Sequence, residues 1–83
     1  MLTPAIFNDL HRKDQVDLIQ QEAIFLGSRE IPEFTIDLYA LDEFYVEVFY
    51  HETEEDLVMV KGSFDFDHHL YSKVVLNTQL KVA

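Results

Sequence analysis

The sequence predicts an α+β domain: an N-terminal helix or helix pair, a three-stranded antiparallel β-meander and a short C-terminal helix (α-α-β-β-β-α), all in one domain over residues 1–83. Two observations carry this. Apolar residues recur at helical spacing before Pro32, at alternate positions from Phe34 to Phe64, and at helical spacing again beyond it. The chain is also 48% hydrophobic with only two Gly and two Pro, a composition too apolar for disorder and too charged for a membrane protein.

Thr3-Pro4 reads as an N-cap followed by the first helical residue, opening a short segment with Ile6, Phe7 and Leu10 on one side. The polar run His11-Arg12-Lys13 interrupts it. Asp14 is the expected cap of a second helix, with Asp17 at N3. There Val16, Ile19, Ala23 and Leu26 form the apolar stripe, Leu18 and Phe25 widen it, and Gly27 is the expected C′ residue. Two helices are favoured over one bent helix.

After Pro32, Phe34, Ile36, Leu38 and Ala40 alternate with Thr35, Asp37, Tyr39 and Leu41. Phe44, Val46, Val48 and Tyr50 alternate with Tyr45, Glu47, Phe49 and His51, and Leu57 to Phe64 makes a third strand. Placing the apolar sets together pairs Leu38 with Val46 and Ile36 with Val48. That register requires a three-residue loop, Leu41-Asp42-Glu43. A two-residue loop would instead set Asp37 opposite Val48. Val48 opposite Val60 then puts Glu47 across from Lys61 and Phe64 across from Phe44. The helices are expected on the Phe34/Ile36/Val46/Val48/Val58/Val60 face, and the row Asp37–Glu47–Lys61 on the other. Asp65 or Asp67 is the expected cap of the last helix, with Phe66, Leu70 and Val74 as its stripe. Residues 77–83 are expected to be a frayed or partner-dependent tail.

Sixteen carboxylates face six cations, for a net charge of −10. Arg12, Lys13, Arg29, Lys61, Lys73 and Lys81 are scattered, whereas phosphate-backbone binding needs clusters, so neither nucleic acid nor membrane is an expected partner. A hydrophobic content of 48% is too high for disorder, and no apolar run approaches the length of a spanning helix. Met1-Leu2-Thr3-Pro4 lacks the basic and apolar regions of a signal peptide. The absence of Cys removes disulfides, thiolate zinc sites and thiol catalysis, and makes a reducing cytoplasm the expected compartment.

No catalytic residue, cofactor site or metal site is assigned. Asp65-x-Asp67-x-His69 has the spacing that opens a calcium loop, but Leu70 and Leu76 stand where that loop needs Gly and Glu. A transition metal could use His68, His69 and a carboxylate, yet adjacent helical residues point about 100° apart. The carboxylates of Glu52, Glu54, Glu55 and Asp56 fit a solvated hairpin loop. Asp37 and Glu47 could share acid–base work only in a cleft. Ser28, Ser63 and Ser72 lack a nucleophile elbow. An enzyme is therefore not expected.

One feature points to a partner. Tyr39, Leu41, Tyr45, Phe49, Leu57 and Met59 are expected around the charged row on the second sheet face, a more apolar surface than solvation alone favours. The expected function is a non-enzymatic interaction or structural module that forms a homodimer through this face or an edge strand. The alternative is an acidic regulator of the antitoxin, immunity or nucleic-acid-mimic type that neutralises a basic protein. Repulsion among sixteen carboxylates is screened beyond roughly 8 Å at physiological salt. Added salt is therefore expected to raise the melting temperature at neutral pH. A melting curve that stays flat or shifts down between low and moderate salt would show the charges to be locally compensated.

Overall fold

The computed structural model describes residues 1–53 and 56–71. Two short helices precede a four-stranded antiparallel meander, so the sheet has one strand more than the sequence pattern indicated. Helix α1 spans Pro4–Asp9. Thr3 caps it as expected, its Oγ1 accepting from the Ile6 N–H at 3.2 Å, with Pro4 in the first turn. The chain turns extended at Leu10, and α2 runs from Arg12 to Glu22.

The N-cap of α2 is His11 rather than Asp14. Asp14 lies inside the first turn, where its charge still meets the positive end of the helix dipole. The buried Gln15 amide donates to the Phe7 carbonyl at 2.9 Å, a second bond to an acceptor that also takes the N–H of the C-cap Leu10 at 3.1 Å. That bond fixes the elbow between the helices.

The largest correction concerns residues 24–31. Their leading apolar residues continue the helical stripe, but the chain turns extended at Ala23 and strand β1 spans Ile24–Ile31. Ile24 and Phe25 favour a pleated strand over another helical turn. Gly27 does not end a helix. It follows a β-bulge at Leu26, where the pairing with the next strand slips by one residue. The slip breaks strict alternation, which is why the strand is hard to see in the sequence.

Strands β2 (Phe34–Leu41), β3 (Phe44–His51) and β4 (Leu57–Ser63) follow in spatial order. Pro32-Glu33 turns β1 into β2, with Glu33 at φ 74°, and Asp42-Glu43 turns β2 into β3, with Asp42 at φ 52°. The second loop has two residues, not three. Leu41 pairs with Phe44, Leu38 with Glu47 and Asp37 with Val48, the register that the apolar pattern disfavoured. Pairing of β3 with β4 follows expectation, with Val48 opposite Val60 and Glu47 opposite Lys61. Strand β4 stops at Ser63, and Phe64 is exposed.

Burial on both sheet faces explains the register. Leu41, Phe44, Val46 and Val48 pack with Phe7 and Ile19 beneath the helices, whereas Ile36 and Leu38 pack with Leu26 and Tyr71 on the opposite face. The rule that apolar sets share a face holds only when one face is wet. Asp37 consequently lies on the helix-bearing face, away from Glu47 and Lys61, and the expected row of three charges does not form.

The expected C-terminal helix is present among the described residues only as a 3₁₀ turn, His68–Tyr71. Its Leu70 N–H donates to the Asp67 carbonyl at 3.1 Å. The stripe position Val74 and the tail 77–83 lie outside the described residues.

The outer edge of β4 is closed by a side chain. Asn8 Nδ2 donates to the Gly62 carbonyl at 3.0 Å and Asn8 Oδ1 accepts from the Gly62 N–H at 2.7 Å, occupying donor and acceptor as a neighbouring strand would. The close approach of α1 requires glycine here: a Cβ on Gly62 would sit 3.1 Å from the Phe7 ring and 3.2 Å from the Phe44 ring. Asn8→Ala leaves both backbone groups to water at a partly buried edge. We expect it to lower the unfolding free energy by about 1–2 kcal/mol in chemical denaturation, and an unchanged midpoint would show the two bonds to be dispensable.

Candidate functional site: an open strand edge

The two sheet edges are treated differently. Besides Asn8, Arg12 reaches the β4 edge, its Nη2 donating at 3.5 Å to the carbonyl of Val58, the residue that interrupts the β4 ladder. At β1, the outer strand of the other side, no hydrogen bond of this kind reaches the backbone among the described residues. An edge strand directs alternate N–H and C=O groups outward as a template for another strand, and in β1 the regular stretch beyond the Leu26 bulge, Gly27 to Ile31, offers one among the described residues.

The side chains of β1 reinforce this. Ile24 is 55% exposed, Phe25 54% and Ile31 37%. Phe25 holds its ring edge-on to Tyr39 at 5.6 Å, which fixes it in place. Soluble proteins commonly guard open edges with charge. Here the one cation of the strand, Arg29, is drawn inward instead. Its Nη2 lies 3.7 Å from Glu47 Oε2, its guanidinium carbon lies 5.3 Å from the centre of the Tyr71 ring, and its buried Nε has no hydrogen-bond partner among the described residues. The exposed charges near the turn are Glu30 and Glu33.

Arg29, Glu47 and Tyr71 form the polar centre of the second face. The Tyr71 hydroxyl donates to Glu47 Oε2 at 2.5 Å. Burial pushes the Tyr71 phenol above its ordinary value of 10.0, the bond to Glu47 pushes it the same way, and Arg29 opposes them. Phe66 stacks edge-on against Tyr45 and Tyr71, with ring centres at 4.6 Å and 5.7 Å. The segment Phe66–Tyr71 thus packs on the face opposite the helices.

The six residues expected to form one surface divide between the two faces. Leu41 is buried beneath the helices, and Tyr39 and Leu57 pack at the rim of the same core. Tyr45 and Phe49 belong to the opposite core, while Met59 is exposed on that side. Asn8, Gln15 and Arg29 carry no distinguishing motif. Arg29 alone had a possible signal, as the one cation in an apolar run.

No helix among the described residues is long and apolar enough to cross a membrane, and no group of three or more His, Asp or Glu among them could hold a metal ion. The side chains of His68 and His69 lie outside the described residues. No family model matches the chain, and no match was found among curated proteins or solved structures.

The sign of the Tyr71 shift gives a test. A phenol whose folded value lies above 10.0 contributes its full stability below that pH, and the contribution is lost as pH rises through the folded value. Tyr71→Phe is expected to lower stability by about 1–3 kcal/mol near neutral pH. The gap to the parent should narrow above pH 10, with Tyr39 and Tyr50 leaving some alkaline slope in both. Denaturation curves on either side of that pH check it, and a gap that does not change with pH would mean the hydroxyl is not held as described.

Proposed function

We propose that this chain is a non-enzymatic protein–protein interaction or structural module of the cytoplasm that self-associates as a homodimer through β1. Two copies meet edge to edge and antiparallel, so that β1 of one pairs with β1 of the other and the two meanders join into one continuous sheet. A strand that pairs antiparallel with its own copy makes a two-fold contact, the commonest symmetry of homo-oligomers. The observation carrying this reading is the asymmetry of the edges among the described residues: Asn8 and Arg12 bond to the backbone of β4, whereas β1 receives no such side chain and presents Ile24, Phe25 and Ile31.

The added hydrogen bonds and the burial of these side chains also supply stability to a chain of 83 residues that has no disulfide. No cofactor enters this reading. The cytoplasmic assignment rests on the cysteine-free composition.

Sedimentation or light scattering at micromolar concentration tests the proposal. The parent chain is expected at twice the monomer mass. Phe25→Glu, which places a carboxylate on the shared edge, is expected to raise the dissociation constant at least about tenfold, a change of roughly 1.4 kcal/mol. Met59→Glu, on an exposed position of the other edge strand, should leave it unchanged. Dimerisation should strengthen with salt, because two copies each carrying −10 repel. A parent chain that stays monomeric at about 100 µM, a concentration at which even weak edge pairing registers, defeats the reading.

A further inference from the structure

The backbone of β1 points a definite way at each residue, and the neighbouring strands fix which. The Glu52 N–H donates to the Glu33 carbonyl at 2.8 Å, so Glu33 turns its backbone groups towards β3. These groups alternate along an antiparallel strand, which sends those of Thr35 and Asp37 to β3 and those of Phe34, Ile36 and Leu38 to β1. Their partners on β1 are Ile31, Arg29 and Gly27. In the regular stretch beyond the Leu26 bulge, Ser28 and Glu30 therefore turn N–H and C=O away from the sheet. Among the described residues no hydrogen bond reaches these outward groups.

We infer that two copies of this chain join β1 to β1 in a single register, with Ser28 opposite the partner's Glu30 and Arg29 on the two-fold axis. The register rests on the self-association proposed above and names which residues meet. Hydrogen-bonded pairs need outward groups on both strands, which leaves a choice of axis at Ser28, Arg29 or Glu30. Ser28 on the axis makes one regular pair and sets Glu30 against Leu26, where the bulge breaks the ladder. Glu30 on the axis opposes two like carboxylates and offers Ser28 the partner's Pro32, which has no N–H. With Arg29 on the axis, symmetry pairs Ser28 with Glu30 on both sides of it. Every outward group of both residues then finds a partner.

The side chains fit this choice. On the second face the exposed Ile31 comes to lie across from the partner's Gly27, which has no side chain to displace. Arg29 meets its own copy in a pair without hydrogen bonds, where Cα atoms approach to about 4.5 Å. Free like charges so placed repel. Here each guanidinium is held by Glu47 of its own molecule at 3.7 Å and lies over the Tyr71 ring, so two ion pairs meet at the axis rather than two bare cations. The contact of Arg29 with Glu47 thus serves the join as well as the fold.

Proline substitution in the full chain tests the register. Glu30→Pro removes one outward N–H and leaves the bonds of Arg29 and Ile31 to β2 in place, a change that edge strands accept. In sedimentation it is expected to raise the dissociation constant at least about tenfold, against less than about a twofold rise for Glu30→Ala, which keeps the N–H. Hydrogen exchange on the parent chain is a second readout should the proline variant not fold. The Ser28 and Glu30 amides should slow at least about tenfold between concentrations below and well above the dissociation constant, while Arg29 and Ile31 are slow at both. In dimers of one isotope-labelled and one unlabelled copy, a nuclear Overhauser contact is expected between the two Arg29 α-hydrogens. A dimer undiminished by Glu30→Pro, or one whose Ser28 and Glu30 amides exchange freely, overturns this register and leaves self-association standing. So does a contact from Gly27 to Arg29 of the other copy, which places Ser28 on the axis. A parent chain that stays monomeric removes self-association and the register with it, so the two failures are told apart.

Discussion

Every part of this fold answers to one constraint: the central strands of the sheet are apolar on both faces, and a chain of 83 residues must cover both. Val46 and Val48 face the helices while their neighbours Tyr45 and Phe49 face the Phe66–Tyr71 segment. Two-sided burial is familiar in parallel sheets flanked by helices and less usual in a small meander, which more often leaves one face wet. The consequence reaches the ends of the described chain. The helices before the sheet and the 3₁₀ turn after it are each too short to be stable alone and take their form from the face they cover.

The second face carries a polar group at its centre, and the arrangement of that group follows from the same constraint. Glu47 sits among apolar neighbours on β3, so its carboxylate must find partners rather than water. Arg29 from β1 and the Tyr71 hydroxyl supply them. Two residues distant in sequence are thereby bound to a single oxygen, Glu47 Oε2. The geometry is specific, which an apolar cover alone would not be. It also removes from β1 the one cation that could have screened its exposed residues.

How much of this was legible in the sequence follows from the same physics. The Thr3-Pro4 helix start, the strands after Pro32 and the Glu47–Lys61 pair were read correctly, because caps, period-two patterns and cross-strand charge pairs are local signals. Strand β1 was missed because the bulge at Leu26 destroys its alternation and because Phe25 and Leu26 extend the apolar stripe read for α2. The β2–β3 register was misjudged for a different reason. When both faces are apolar, Ile36 and Leu38 can be assigned to either, and the pattern no longer chooses between a two-residue and a three-residue turn. The expected surface inherited the register error: its six residues were grouped by a pairing one position out, and they divide between the two faces of the sheet. Asn8 was not legible at all, since its role depends on a residue 54 positions away.

The carboxamide of Asn8 has a consequence for growth of the sheet. A ladder with two free edges can add strands without limit, which is the route to fibres. Here one edge is terminated inside each molecule by its own first helix, at Gly62, where added bulk would press on the rings of Phe7 and Phe44. A strand added at this end would have to displace the Asn8 carboxamide from both backbone groups of Gly62, so the cost of extending the ladder through β4 is set within the fold itself.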